Sequence, residues 1–116
     1  MKRISSGSLA IQQGSRVLFS DYADDGIMWT GQGDRENRHI VLFKDKFSDI
    51  PAVMVGISMW DIDHKYNARA DISAERITVD GFHIVFRTWG DTRIARIRVE
   101  WIALGAFTDE DSWEVP

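Results

Sequence analysis

Apolar and polar positions alternate with a period of two along most of the chain. From Ala52 to Trp60 the residues Val53, Val55, Ile57 and Met59 form one apolar row, the pattern of a strand with one buried face. From Phe82 to Trp89, the residues Phe82, Ile84 and Phe86 share a face, and His83, Val85, Arg87 and Trp89 share the other. From Ala95 to Ala103, the row Ala95, Ile97, Val99, Trp101 and Ala103 points one way, while Arg96, Arg98 and Glu100 point the other. Shorter strand candidates lie at Leu9–Gln13, His39–Phe43 and Ala68–Ser73. No segment keeps a helical period over several turns. The polar, Gly-rich stretch from Ala23 to Asn37 reads as a long loop. Short strands separated by turn signals predict an all-β fold, an antiparallel sandwich or barrel.

Between the last two long strands lies "RTWGDTR", residues 87–93. Gly90-Asp91 fits a two-residue hairpin loop, because Gly accepts positive φ at little cost. Such a hairpin places Trp89 opposite Thr92 and brings Arg87 and Arg93 to its end. It also puts Arg87, Arg96, Arg98 and Glu100 on one exposed charged sheet face. A monomer solvates that face; a symmetric oligomer pairs part of it with a neighbour's acids.

Composition narrows the function. With 116 residues the natural reading is one domain, 1–116, whose first 30 residues and acidic tail, 108–116, are peripheral. With no cysteine there is no disulfide framework and no thiolate chemistry. Fourteen basic against eighteen acidic residues give a net charge of −4, which argues against a dedicated nucleic-acid binder. The N-terminal stretch "MKRISSGSLAIQQGS" has no apolar core of a secretory leader. The residues assign no compartment; cytoplasmic residence and export without a cleaved leader both stay open. No apolar run reaches the length of a membrane span. The three histidines, His39, His64 and His83, lack metal-ligand spacing, and "DIDH" at 61–64 reads as acids at a strand end. No nucleophile elbow or triad motif is present, so no enzyme reading, cofactor or metal is expected.

Five tryptophans in so short a chain point toward interfaces and ligand plates as well as core. The ordered marks are Phe43 and Phe47 before Pro51-Ala52-Val53, then "VGISMWDID" closed by Asp61, "NARADIS" from Asn67 and "DGF" at 80–82. "TWGDT" from Thr88 and "EWIALG" from Glu100 complete the set. Together, over roughly Phe43 to Gly105, they resemble the H-type lectin domain family, the fold of a snail agglutinin specific for N-acetylgalactosamine and of the C-terminal domain of discoidins. The resemblance implies a six-stranded antiparallel β-sandwich, a trimer or a dimer of trimers, and metal-free sugar pockets between neighbouring subunits. It places the sugar-binding arginine on Arg69 and the binding tryptophan on Trp89. A family histidine falls on Gly90 and a pocket tyrosine on Ala95, two departures that open the pocket. The acid supplied by a neighbouring subunit comes from "TGQGDRENR" before Phe43: Asp34 after Gly33, with Glu36 as the alternative.

Sugar recognition needs a fixed donor, a charged acceptor and an apolar plate. Arg69 offers planar N–H donors that are always charged, Asp34 offers acceptor oxygens, and Trp89 offers the plate. Each has a plainer reading: Arg69 as the ion-pair partner of Asp71 or of another strand's acid, Trp89 as a packed hairpin residue, Asp34 as a turn residue. The functional expectation is a glycan-binding homo-oligomer for galactose or N-acetylgalactosamine. The alternative is a structural or adhesion subunit, phage-tail-like or part of a surface assembly, that keeps the trimeric scaffold with a degenerate pocket.

Overall fold

The computed structural model describes residues 1, 3 and 8–108. Its six strands are β1 (Leu9–Phe19), β2 (Arg35–Leu42), β3 (Ala52–Ile62), β4 (Asp71–Glu75), β5 (Gly81–Thr88) and β6 (Ile94–Ala106), with two single-turn helices, α1 (Asp21–Asp24) and α2 (Ile27–Thr30). They form two three-stranded antiparallel sheets, one ordered β1-β6-β3 and the other β2-β5-β4. The architecture is the antiparallel six-stranded sandwich expected from the alternation and the resemblance.

The inner rows build the core. Phe82, Ile84 and Phe86 of β5 pack with Ile97, Val99 and Ala103 of β6, and Val53, Val55 and Ile57 of β3 close the cluster. At one end the aromatic rings interlock: Trp101 meets Phe82 edge-on at 5.3 Å and Phe43 at 5.9 Å, and Phe43 meets Phe47 edge-on at 5.0 Å. Tilted and edge-on contacts of this kind suit the ring quadrupoles.

The first 30 residues are not peripheral. β1 is an edge strand of its sheet, and Phe19 and Met28 are buried in the core. The strand runs well past Gln13, to Phe19, through Gly14, Ser15 and Arg16, which carry no apolar signal. Gly14 is needed there for space: a Cβ would lie 2.7 Å from the Trp101 indole nitrogen. The stretch from Ala23 to Asn37 is likewise not one loop. It contains α2 and the start of β2, four residues before the expected strand; β4 begins at Asp71, three residues after the expected Ala68. Single helical turns are too short to show periodicity. They are joined by a side-chain hydrogen bond, the Asp21 carboxylate accepting the Met28 N–H at 2.9 Å.

The expected β5–β6 hairpin is absent. The two strands belong to different sheets, and residues 89–93 cross between them. Strands paired in a hairpin show their apolar rows to the same side, whereas the β5 and β6 rows face each other across the core. Trp89 and Thr92 are therefore not partners: Trp89 is exposed and Thr92 fully buried. The charged residues divide accordingly, Arg87 onto the outer face of one sheet and Arg96, Arg98 and Glu100 onto that of the other. Ala95 also departs from its expected row. The β3–β6 register shifts between Asp61 and Ile62, leaving Ala95 unmatched, so Ile94 instead enters the core. Of the acidic tail, residues 109–116 lie outside the described residues.

Candidate functional site

The crossing segment is held from below by its two threonines. Thr88 Oγ1 donates to the Arg69 carbonyl, and Thr92 Oγ1 donates to the Asn67 carbonyl and accepts the Arg69 N–H at 3.1 Å. Both hydroxyls are buried and satisfied, as buried polar groups must be. They lash the strap of residues 67–69 beneath the turn. Asp91 completes the lashing: its carboxylate pairs with Arg69 Nη1 and accepts from the Asn67 side-chain amide at 3.3 Å. The Arg69 hydrogen bond, helped by Asn67, holds the Asp91 carboxyl below the usual carboxylate range.

Gly90 stands directly over that pair. Its φ is +68°, a left-handed conformation natural to glycine. A Cβ there would lie 3.0 Å from Arg69 Nη1.

From the other side the turn is held by Arg35, which is 6% exposed. Its guanidinium donates to the carbonyls of Gly33 (3.0 Å), Gly90 (3.1 Å), Ile27 (3.3 Å) and Met28 (3.3 Å). Burial lowers its pKa from the ordinary arginine value. Arginine suits the position because its fork of donors reaches several carbonyls at once. The Gly33 N–H also donates to the Gly90 carbonyl at 3.0 Å. Gly33 and Gly90 thus form a backbone ridge.

On one side of this ridge lies a cleft of about 570 Å³ bordered by Asp34, Glu36, Ala70, Asp71, Arg87 and Trp89, with Thr88 and Arg35 at its floor. Trp89 is 43% exposed. Asp34 makes no ion pair or hydrogen bond among the described residues. The neighbouring charges on the same outer face are engaged. Arg87 reaches Glu75 at 2.8 Å, Glu36 at 3.1 Å and Asp71 at 3.9 Å, and Arg38 lies 3.6 Å from Glu36 and 3.7 Å from Glu75. Hydrogen bonding between Glu75 and Arg87 moves their pKa values apart, Glu75 down and Arg87 up. The cleft therefore combines an exposed indole, a free carboxylate and a fixed guanidinium.

The residues singled out in the sequence fare differently. Asp34, its alternative Glu36 and Trp89 border one cleft of a single chain, although the resemblance implied that the acid comes from a neighbouring subunit. Gly33 and Gly90 form the ridge. Arg69 lies under the ridge, paired with Asp91 and not with Asp71. Ala95 is buried at the β6 register shift and does not line the cleft. Arg35, Arg87, Thr88 and Thr92 received no site role from the sequence pattern, although Arg87 and Thr92 were placed at the turn. Only "TWGDT" carried a signal for the threonines, and an arginine that satisfies carbonyls has no local signature.

The H-type lectin domain matches residues 38–104, more than half of the chain, and the chain belongs to this family. It is 31% identical to a discoidin-1 polypeptide of Dictyostelium discoideum over 81 residues, 69% of this chain and 32% of that protein. It thus spans about a third of that relative's length. It is 59% identical over 108 residues, 93% of this chain and 94% of the other, to "ATP synthase subunits region ORF 7" of Fuscovulum blasticum. The structure of wild-type discoidin II from Dictyostelium discoideum superposes with a TM-score of 0.75 at 23% identity. That match covers 90% of this chain and 40% of discoidin II, and it is a likeness of fold. Among the described residues no helix is long and apolar enough to cross a membrane.

Proposed function

We propose that this protein is a lectin that takes galactose- or N-acetylgalactosamine-type sugars in the Trp89 cleft. The observation that carries the reading is the placement of the exposed Trp89 ring and the unpaired Asp34 carboxylate in one cleft of about 570 Å³. The ring takes the C–H face of the sugar, and Asp34 accepts from its hydroxyls. Arg69, directly beneath Gly90, presents its remaining N–H edges where a side chain at position 90 would otherwise cover them. Single-site affinity for so open a cleft is about −4 to −6 kcal/mol, millimolar to tens of micromolar. Useful avidity then requires several sites on one assembly.

The assembly in this reading is a homotrimer or a dimer of trimers, with a second copy of the chain on the outer face of the β1-β6-β3 sheet. There Leu9, Ile11 and Met54 are exposed, and Ile11 and Met54 pair across the ladders with Leu104 and Ile102. An exposed apolar patch of this kind supports an interaction surface there. Arg98 and Glu100 extend it with both charge signs, which a copy of the same face complements.

The Arg69–Asp91 pair and the burial of Ala95 favour a second reading, a structural or adhesion subunit on the same scaffold with a disused pocket. A glycan array separates the two, run with the wild type, Trp89→Ala and Asp34→Asn. Signals on galactosides or N-acetylgalactosaminides that both variants lose support the lectin. A blank array from a folded oligomer moves the conclusion to the structural subunit.

A further inference from the structure

On the opposite side of the Gly33–Gly90 ridge lies a second, smaller cleft of about 210 Å³, bordered by Thr30, Gly31, Gln32, Tyr66, Asp91 and Arg93. Its distinguishing residue is Arg93. The guanidinium carbon lies over the Trp29 ring at 4.6 Å from its centroid and over the Tyr66 ring at 5.3 Å. Nε donates to the Trp29 carbonyl at 2.8 Å. Trp29 is itself braced edge-on by Tyr22, the centroids 5.1 Å apart. Two rings and one hydrogen bond therefore fix the plane of the fork.

The two terminal amino groups of Arg93 have no hydrogen-bond acceptor and no carboxylate within reach among the described residues. The other half-buried or buried arginines are all engaged, Arg35 by carbonyls, Arg69 by Asp91 and Arg87 by Glu36 and Glu75. The one acid bordering the cleft, Asp91, has its charge taken up by Arg69 and Asn67. Arg35 and Arg69 flank the same ridge, so the local balance is positive although the chain carries −4 overall.

We infer that this cleft binds an oxyanion, a carboxylate or sulfate group held in two-pronged fashion by the free terminal amino groups of Arg93. A planar fork held against aromatic faces presents such donors with little ordering left to do. The oxyanion arrives either as a free anion or as the acidic group of a saccharide whose neighbouring ring occupies the Trp89 cleft across the ridge. Only the second source rests on the lectin reading.

The test is a titration of the full chain, followed by NMR at the Arg93 side-chain Nε–H. The added salts are sodium sulfate and sodium acetate, at constant ionic strength against sodium chloride. A saturable shift with sulfate or acetate beyond chloride is the expected result. Gln32→Glu adds a negative charge to the exposed rim without touching the Arg93 cage, and weakens binding by about tenfold or more. Arg93→Lys keeps the charge and loses the fork, with a comparable loss read at the backbone amides of Gln32 and Asp91, which border the cleft. Absence of any shift beyond chloride, or an unchanged titration in Gln32→Glu, overturns the site. A galactose sulfate that saturates well below inorganic sulfate identifies the saccharide as carrier; equal midpoints identify the free anion. Neutral galactosides failing everywhere while sulfate still binds would count against the lectin reading and leave this site standing.

Discussion

Arg35 Nη2 donates to the carbonyl oxygen of Gly90 at 3.1 Å, across 55 positions of chain. The same oxygen accepts the Gly33 N–H. Asp34 follows Gly33, and Trp89 precedes Gly90. The acid and the ring are thus brought to one cleft by a contact between their backbone neighbours, not by any contact of their own. Asp34 stays unpaired among the described residues and Trp89 stays exposed, while the backbone beneath is fixed.

Arg35→Ala should therefore damage stability although Arg35 adds no apolar side chain to the core. It leaves the carbonyls of Gly33, Gly90, Ile27 and Met28 short of a donor, at a cost of about 2–4 kcal/mol. Arg35→Lys keeps the charge but not the fork, and falls between the two. Urea denaturation checks this: the midpoint drops and the slope is unchanged. A midpoint within error of the wild type would show that the carbonyls find water instead.

The Asp91 carboxyl has a depressed pKa in the folded state, chiefly through Arg69. The sign of the pH effect follows directly. A depressed carboxyl contributes stability that is fully present above its unfolded pKa and is lost as pH falls through the folded one. The wild type should thus lose its advantage over Asp91→Asn progressively below about pH 4. Thermal unfolding of both proteins between about pH 7 and pH 2 measures it. A constant difference across that range would mean that the pair is not formed in solution.

Much of the fold was legible because its inner rows are continuous. Val53, Val55 and Ile57, then Phe82, Ile84 and Phe86, keep strict alternation, and the ordered marks from Phe43 to Gly105 pointed to the family. The turn was misread because Gly90-Asp91 carries the local chemistry of a hairpin, while the opposition of the β5 and β6 apolar rows is a long-range fact. β1 was truncated because Gly14, Ser15 and Arg16 interrupt the alternation before Val17. At the site, Trp89, Asp34 and Arg69 came from the resemblance, and the scaffold beneath them did not. Arg35 acts on backbone carbonyls far apart in the chain, and such partners leave no trace in residue types.

Met54 is 71% exposed on the outer β1-β6-β3 face, so Met54→Glu should leave the fold of a single chain intact. In an assembly on that face it buries an unpaired charge, which costs several kcal/mol. Light scattering should then find the wild type oligomeric and the variant monomeric at micromolar concentration. An oligomer of unchanged mass would place the interface elsewhere, and a monomeric wild type would remove the multivalent mechanism.

Gly90→Ala tests the ridge itself. An L-residue at φ +68° costs roughly 1–2 kcal/mol. The new Cβ also sits 3.0 Å from Arg69 Nη1 and 3.3 Å from its guanidinium carbon. The neighbour is the end of a flexible side chain, so the guanidinium yields and the backbone holds. Arg69 then loses its alignment with Asp91, and stability falls by more than the conformational term alone. Combining Gly90→Ala with Asp91→Asn separates the two contributions. If the Arg69 pair carries part of the loss, the double variant is less destabilised than the sum of the singles. Strict additivity in that cycle would assign the whole effect to the strained turn.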